Sequence, residues 1–154
     1  MERAVRPAVF LLCLLPFAWI VYAALANALG PDPAERLMHV TGEWSLRILA
    51  LTLLVSPMRQ WTGWTRVLKL RRMLGLYAFF YACIHLVAFL QFFTGWSVAP
   101  LLEEIAERPY ITMGFGSLVL MLPLAITSTR KMQRRLGRNW RRLHQLVYPA
   151  AVLA

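Results

Sequence analysis

Three histidines are the residues of this chain that most directly suggest cofactor chemistry. His85 lies in an apolar run from Met73 to Phe93, about twelve residues or ~18 Å along a helix from the basic edge of that run. A polar, ionisable side chain at such depth in a membrane is costly and by default marks a functional site. Its face reads Gly75, Ala78, Ala82, His85 and Phe89, a spacing that stays on one side of a helix. Three small residues followed by an imidazole leave a groove, and a flat macrocycle needs such room beside an axial ligand. Neutral imidazole is a standard axial ligand to heme iron. The same face has a plainer reading, in which small residues let helices pack closely and His85 hydrogen-bonds a neighbour. The residues alone leave both readings standing.

His144 opens the last apolar run, just after a basic segment, where a histidine is more often a solvated cap than a ligand. His39 sits in a polar connector and is the weakest of the three. Other familiar chemistry is missing from the sequence: there is no Gly-rich phosphate loop, C-x-x-C, H-E-x-x-H or nucleophile elbow. Glu103, Glu104 and Glu107 cluster in a connector outside the apolar runs, which argues against a carboxylate proton relay. Cys13 and Cys83 lie inside apolar runs and read as small buried hydrophobes, not as a disulfide or redox pair.

The elements that must position these residues are membrane helices. Hydrophobic residues make up 59% of the 154 and charged residues only 16%, with a mean hydropathy of +0.54. The charges come in clusters between long apolar runs, the pattern of a polytopic membrane protein. Five runs are expected as helices, at about 8–29, 44–58, 73–93, 110–128 and 143–154, within one all-α domain covering 1–154. Ala26-Asn27-Ala28 resembles a signal-peptide cleavage site, but the first run has 22 residues against the ~7–15 of a signal-peptide core. A retained first helix is therefore expected, with Pro16 as a candidate kink. The second run is short, with Arg47 near its outer end, where it can snorkel outward. Gly114, Gly116 and Ser117 suit close helix packing in the fourth run.

A net charge of +10 is also the footprint of a nucleic-acid binder, yet the basic residues sit where the positive-inside rule requires them, so no nucleic acid is expected. With a cytoplasmic amino terminus, 14 of the 17 Lys and Arg residues fall in cytoplasmic segments, and five of the seven acids fall in the outer connectors. The opposite topology puts charge on the wrong side in every loop. Arg71-Arg72 and the cluster from Arg130 to Arg142 could grip a phosphate or an acidic soluble partner. Topology charge and contact with lipid headgroups is the simpler explanation of both.

The string Arg71-Arg72-Met73-Leu74-Gly75-Leu76, with His85-Leu86 downstream, resembles the third helix of the heme-binding membrane subunits of bacterial methionine-sulfoxide reductase systems (MsrPQ), a ferric-reductase-like transmembrane family. The order continues with His39-Val40-Thr41-Gly42, Arg108-Pro109-Tyr110, Thr127-Ser128-Thr129, and Leu136-Gly137-x-x-Trp140-x-x-Leu143-His144-x-x-Val147-Tyr148. The resemblance covers the chain from its first helix to its last residue. It implies a ferric-reductase-like bundle in the bacterial inner membrane that binds heme b and FMN. Such a subunit passes electrons from the cytoplasmic side, where a flavin reductase is a candidate donor, to a periplasmic molybdopterin methionine-sulfoxide reductase that repairs oxidised envelope proteins. By resemblance His85 and His144 become candidate heme ligands, with His39 a weak third. The family's FMN-contacting residues do not transfer to named positions. The family also carries a further histidine in the fifth helix, just beyond Ala154, and at least one more helix.

The expected architecture is thus an all-α transmembrane bundle of four complete helices plus the start of a fifth, truncated at its carboxyl end. Leu143 to Ala154 is 12 residues, ~18 Å as a helix against a hydrocarbon core of ~30 Å. His144 at the cytoplasmic face and His85 ~18 Å across are poorly placed to clamp one iron. A partner level with His85 is expected about twelve residues past His144, and heme binding by these 154 residues alone is expected to be weak or incomplete. The function expected is one-electron transfer through heme, as a subunit and not as the site of substrate chemistry. A quinol-linked cytochrome b and a cofactor-free membrane scaffold are the rival readings. The charge asymmetry makes its own prediction: a reporter fused after Arg66 or Arg135 reads as cytoplasmic, and one after Glu104 as periplasmic. A periplasmic signal from the Arg135 fusion would overturn the orientation.

Overall fold

The structure, a computed structural model, describes residues 2–63 and 68–154; Arg66 of the basic loop lies outside them. Every regular element among the described residues is helical. In chain order they are α1 (Glu2–Leu25), α2 (Pro33–Thr62), α3 (Leu68–Phe89) continuing into a π-helical turn (Leu90–Thr94), α4 (Val98–Glu107), α5 (Pro109–Ile126), α6 (Arg130–Leu136) and α7 (Arg138–Leu143). A 3-10 turn (His144–Leu146) then leads into α8 (Val147–Leu153). Three stretches are long and apolar enough to cross a membrane: Val5–Leu25, Leu70–Thr94 and Pro109–Ile126. At 30 residues α2 is longer than any of them, but Glu35, Arg36, Glu43 and Arg47 make its first half polar. The chain forms two compact units, residues 1–88 and 89–154.

In the first unit, α1 turns Leu11, Leu12, Leu15, Trp19 and Tyr22 outward, as a lipid-facing helix does, and buries Cys13, Ile20 and Ala23. Its attachment to α3 is made by two tyrosines. Tyr77 donates to the Phe10 carbonyl at 3.1 Å, and its ring meets that of Phe10 edge-on at 5.5 Å. The fully buried Tyr81 donates to the Cys13 carbonyl at 2.7 Å and accepts from the Phe17 N–H at 3.0 Å. Those two groups pair with each other in an unbroken helix. A side-chain hydroxyl thus enters the ladder beside Pro16, which has no N–H of its own to give.

The second helix begins eleven residues earlier than the apolar pattern suggests, at Pro33 and not near Trp44. Asp32 caps it: its carboxylate accepts from the Glu35 N–H at 3.0 Å, and its carbonyl accepts from the Arg36 N–H. Proline at the first helical position and glutamate in the first turn complete a standard start signal. Much of the polar connector is therefore helix. Against α3, Ser45 donates to the Ala78 carbonyl at 3.0 Å, Ala78 is fully buried, and a Cβ on Gly75 would stand 3.7 Å from Thr52 Cγ2. Of the two readings of this small-residue face, close helix packing is the one seen at Gly75 and Ala78, where α2 approaches.

In the second unit, α5 packs on α8. Ser117 donates to the Ala150 carbonyl at 2.7 Å, and a Cβ on Gly116 would meet Leu153 at 3.6 Å; a Cβ on Gly114 would meet nothing within 4 Å. The expected acidic connector contains α4, an amphipathic helix with Val98, Leu101, Leu102 and Ile105 on one face and Glu103, Glu104 and Glu107 around the other. The basic segment folds as α6 and α7, separated by Gly137 at φ +50°, a left-handed conformation that a side chain would strain. The expected fifth helix is broken by the 3-10 turn at His144–Leu146.

Tyr81→Phe tests the α1–α3 attachment. It leaves the ring in place but strips a partner from one buried and one part-buried backbone group, at a cost of about 1–3 kcal/mol. Denaturation in detergent and faster amide exchange at Phe17 would register the loss. Wild-type stability in Tyr81→Phe would show that α1 closes its own ladder there.

Candidate functional site

His85 is held by one turn of α2. Its Nδ1 lies 3.0 Å from the Met38 carbonyl oxygen and 3.3 Å from Thr41 Oγ1. A carbonyl can only accept, so Nδ1 carries a proton, and in the neutral imidazole Nε2 then keeps its lone pair. Thr41 is fully buried, and its own hydroxyl donates to the Leu37 carbonyl at 2.7 Å. Its oxygen therefore faces the imidazole as an acceptor. Gly42 forms the floor of the seat: a Cβ there would stand 3.2 Å from both Cε1 and Nδ1 of His85. That is tighter than ordinary contact, so the ring can lie where it does because position 42 has no side chain.

This arrangement is what a metal-ligating histidine requires. Such residues almost always donate the non-ligating ring N–H to a carbonyl or carboxylate, which fixes tautomer and ring plane and strengthens the other nitrogen as a donor. Both recorded polar contacts of His85 use Nδ1. The residues present fit an iron-bound imidazole through Nε2.

His144 stands in the second unit under a different arrangement. Its ring stacks on Trp140 with centroids 3.9 Å apart and planes 27° from parallel. Trp140 is itself anchored, donating its indole N–H to the Thr127 carbonyl at 3.0 Å at the end of α5. Thr129 caps α6 by accepting from the Met132 N–H at 3.3 Å. Thr127 and Trp140, one residue from each of two motifs, thus meet in one support for the His144 ring. His39 points elsewhere: exposed, it pairs with the exposed Glu35 at 3.6 Å, one helical turn away. Within the motif His39-Val40-Thr41-Gly42, the residues that reach His85 are Thr41 and Gly42. Sequence reasoning placed the motif but missed these two, which meet His85 across more than forty residues of chain with no local signal.

Residues 41–154 match the family described as ferric reductase like transmembrane component. The chain belongs to that family. It is 52% identical over 136 residues to the protein-methionine-sulfoxide reductase heme-binding subunit MsrQ of Xanthomonas axonopodis pv. citri, covering 88% of this chain and 62% of that protein. To the subunit of the same name from Xanthomonas campestris pv. campestris strain 8004 it is 48% identical over 157 residues, covering 98% of this chain and 72% of the relative. To that of Polaromonas naphthalenivorans it is 44% identical over 154 residues, covering 99% and 70%. The chain spans about 62% of the length of the first of these relatives. No solved structure matches it. With its family and its three apolar helices, this is a membrane protein.

The indole anchor of the second unit yields a graded prediction. Trp140→Phe keeps a ring over His144 but loses the bond to Thr127, and is expected to cost about 1 kcal/mol. Trp140→Leu loses both and should cost more. Equal stability of wild type and Trp140→Phe in detergent unfolding would show that the indole N–H contributes nothing.

Proposed function

We propose that this chain is the heme-binding part of a membrane electron-transfer subunit serving a methionine-sulfoxide reductase. The observation that carries the reading is the His85 Nδ1–H bond to the Met38 carbonyl, which leaves a neutral imidazole with Nε2 as a donor inside a membrane protein. The relatives, named as heme-binding subunits of protein-methionine-sulfoxide reductases, support the same assignment. His85 is the ligand the local geometry supports best. His144, ring-stacked on Trp140 beside the basic segment, is the second candidate.

Heme held this way supplies a one-electron carrier whose potential follows its axial ligands and their hydrogen bonds. The chain's own contribution is to fix the imidazole, exclude water from the lipid-facing helices and set direction. Orientation follows from charge: the basic segments 59–72 and 130–142 are cytoplasmic and the acidic α4 is periplasmic, in a bacterial inner membrane. In that orientation α4 lies in the membrane interface, apolar face down and carboxylates outward. Electrons then run from a cytoplasmic flavin or NAD(P)H-linked donor to a periplasmic molybdopterin partner. FMN extends the proposal; its own check is flavin fluorescence released on denaturing the purified full-length protein.

In the full-length protein, His85→Ala is expected to lower heme per polypeptide several-fold while membrane insertion is retained, because one side chain hardly alters hydropathy. Pyridine hemochrome content of the purified variant measures it. Heme content equal to wild type would return His85 to a packing role.

A further inference from the structure

The His39-Val40-Thr41-Gly42 motif is left unexplained by histidine ligation, since His39 faces solvent in a pair with Glu35. We infer that the working residues of this motif are Thr41 and Gly42, positioning residues that set the tautomer, ring plane and electron density of His85 and so the redox potential of the iron it ligates. The inference rests on His85 being a heme ligand, and goes beyond it by assigning a second helix to the control of that ligand.

Three observations on α2 carry it. Thr41 is fully buried beside the imidazole, its oxygen 3.3 Å from Nδ1. The single hydroxyl proton of Thr41 goes to a carbonyl of its own helix, Leu37 at 2.7 Å or Met38 at 3.1 Å, so a lone pair is open to the ring. The Nδ1–H is thereby shared between two acceptors, Thr41 Oγ1 at 3.3 Å and the Met38 carbonyl at 3.0 Å. Gly42 closes the seat, because any side chain at that position meets Cε1 and Nδ1 at 3.2 Å. A packing threonine needs only its shape and its bond back to Leu37. An acceptor aimed at an imidazole N–H does more: it draws that proton outward, enriches the ring in electron density and makes Nε2 a stronger donor. A stronger donor favours ferric over ferrous iron. The hydroxyl of Thr41 therefore holds the potential down, and Gly42 holds the ring where the hydroxyl can act.

Substitutions separate these roles in the full-length heme-loaded protein. Thr41→Val keeps the shape and removes the hydroxyl; Thr41→Ser keeps the hydroxyl and loses a methyl. In an optical redox titration, Thr41→Val is expected to raise the ferrous-to-ferric ratio at fixed ambient potential by about three- to tenfold, tenfold being about 59 mV for one electron. Thr41→Ser should titrate like wild type. Gly42→Ala should weaken heme retention by about 10–100-fold, as loss of support to a metal ligand commonly does. Wild-type potential in fully heme-loaded Thr41→Val would overturn the inference, as would equal shifts in the valine and serine variants. His85→Ala run alongside keeps the two readings apart: if it retains heme, ligation by His85 fails, whatever position 41 does.

Discussion

A polar group within the hydrocarbon layer has no water to pair with, so each must find its partner inside the protein. The described structure is organised around that constraint. Tyr81 satisfies two backbone groups of α1 at once, Ser45 reaches the Ala78 carbonyl, and Ser117 reaches that of Ala150. Thr52, Thr127 and Ser128 bond back to their own helices. The bond from His85 to Met38 belongs to the same set, with one difference: an imidazole has a second nitrogen. Satisfying the first nitrogen leaves the second open, and it is there that the proposed heme ligation is placed.

The two helices that make this seat run antiparallel, with residue 41 opposite 85, 45 opposite 78 and 52 opposite 75. Small residues at 75 and 78 let them approach, and glycine at 42 lets the ring lie between them. Tyr81, one helical turn before His85, ties the same helix to α1. The imidazole is thus fixed by α2 directly and by α1 through the helix that carries it. A side chain held on regular helices in this way is more precisely placed than one on a loop.

Much of this was legible in the sequence. The apolar runs, the charge asymmetry and the depth of His85 gave a polytopic helical membrane protein with one conspicuous imidazole inside an apolar run, and the ordered motifs gave the family. The start of α2 was readable in principle from Asp32-Pro33-x-Glu35, but hydrophobic periodicity, the stronger signal, is silent in a polar first turn. The face of Gly75 and Ala78 stayed open in the sequence because small residues are equally suited to a macrocycle and to a neighbouring helix, and the choice depends on what the other helix presents. The same limit hid Thr41 and Gly42: they act across 44 residues of sequence, through a contact that no local pattern records.

The central claim is that His85 binds heme iron through Nε2 while its Nδ1 proton is held by α2. Pulsed electron paramagnetic resonance of the oxidised full-length protein, with 15N-labelled histidine, reads both halves of it. An axial imidazole nitrogen coupling accompanied by a protonated remote nitrogen, with this signature lost in His85→Ala, is the predicted result. The same signature persisting unchanged in His85→Ala would contradict the account.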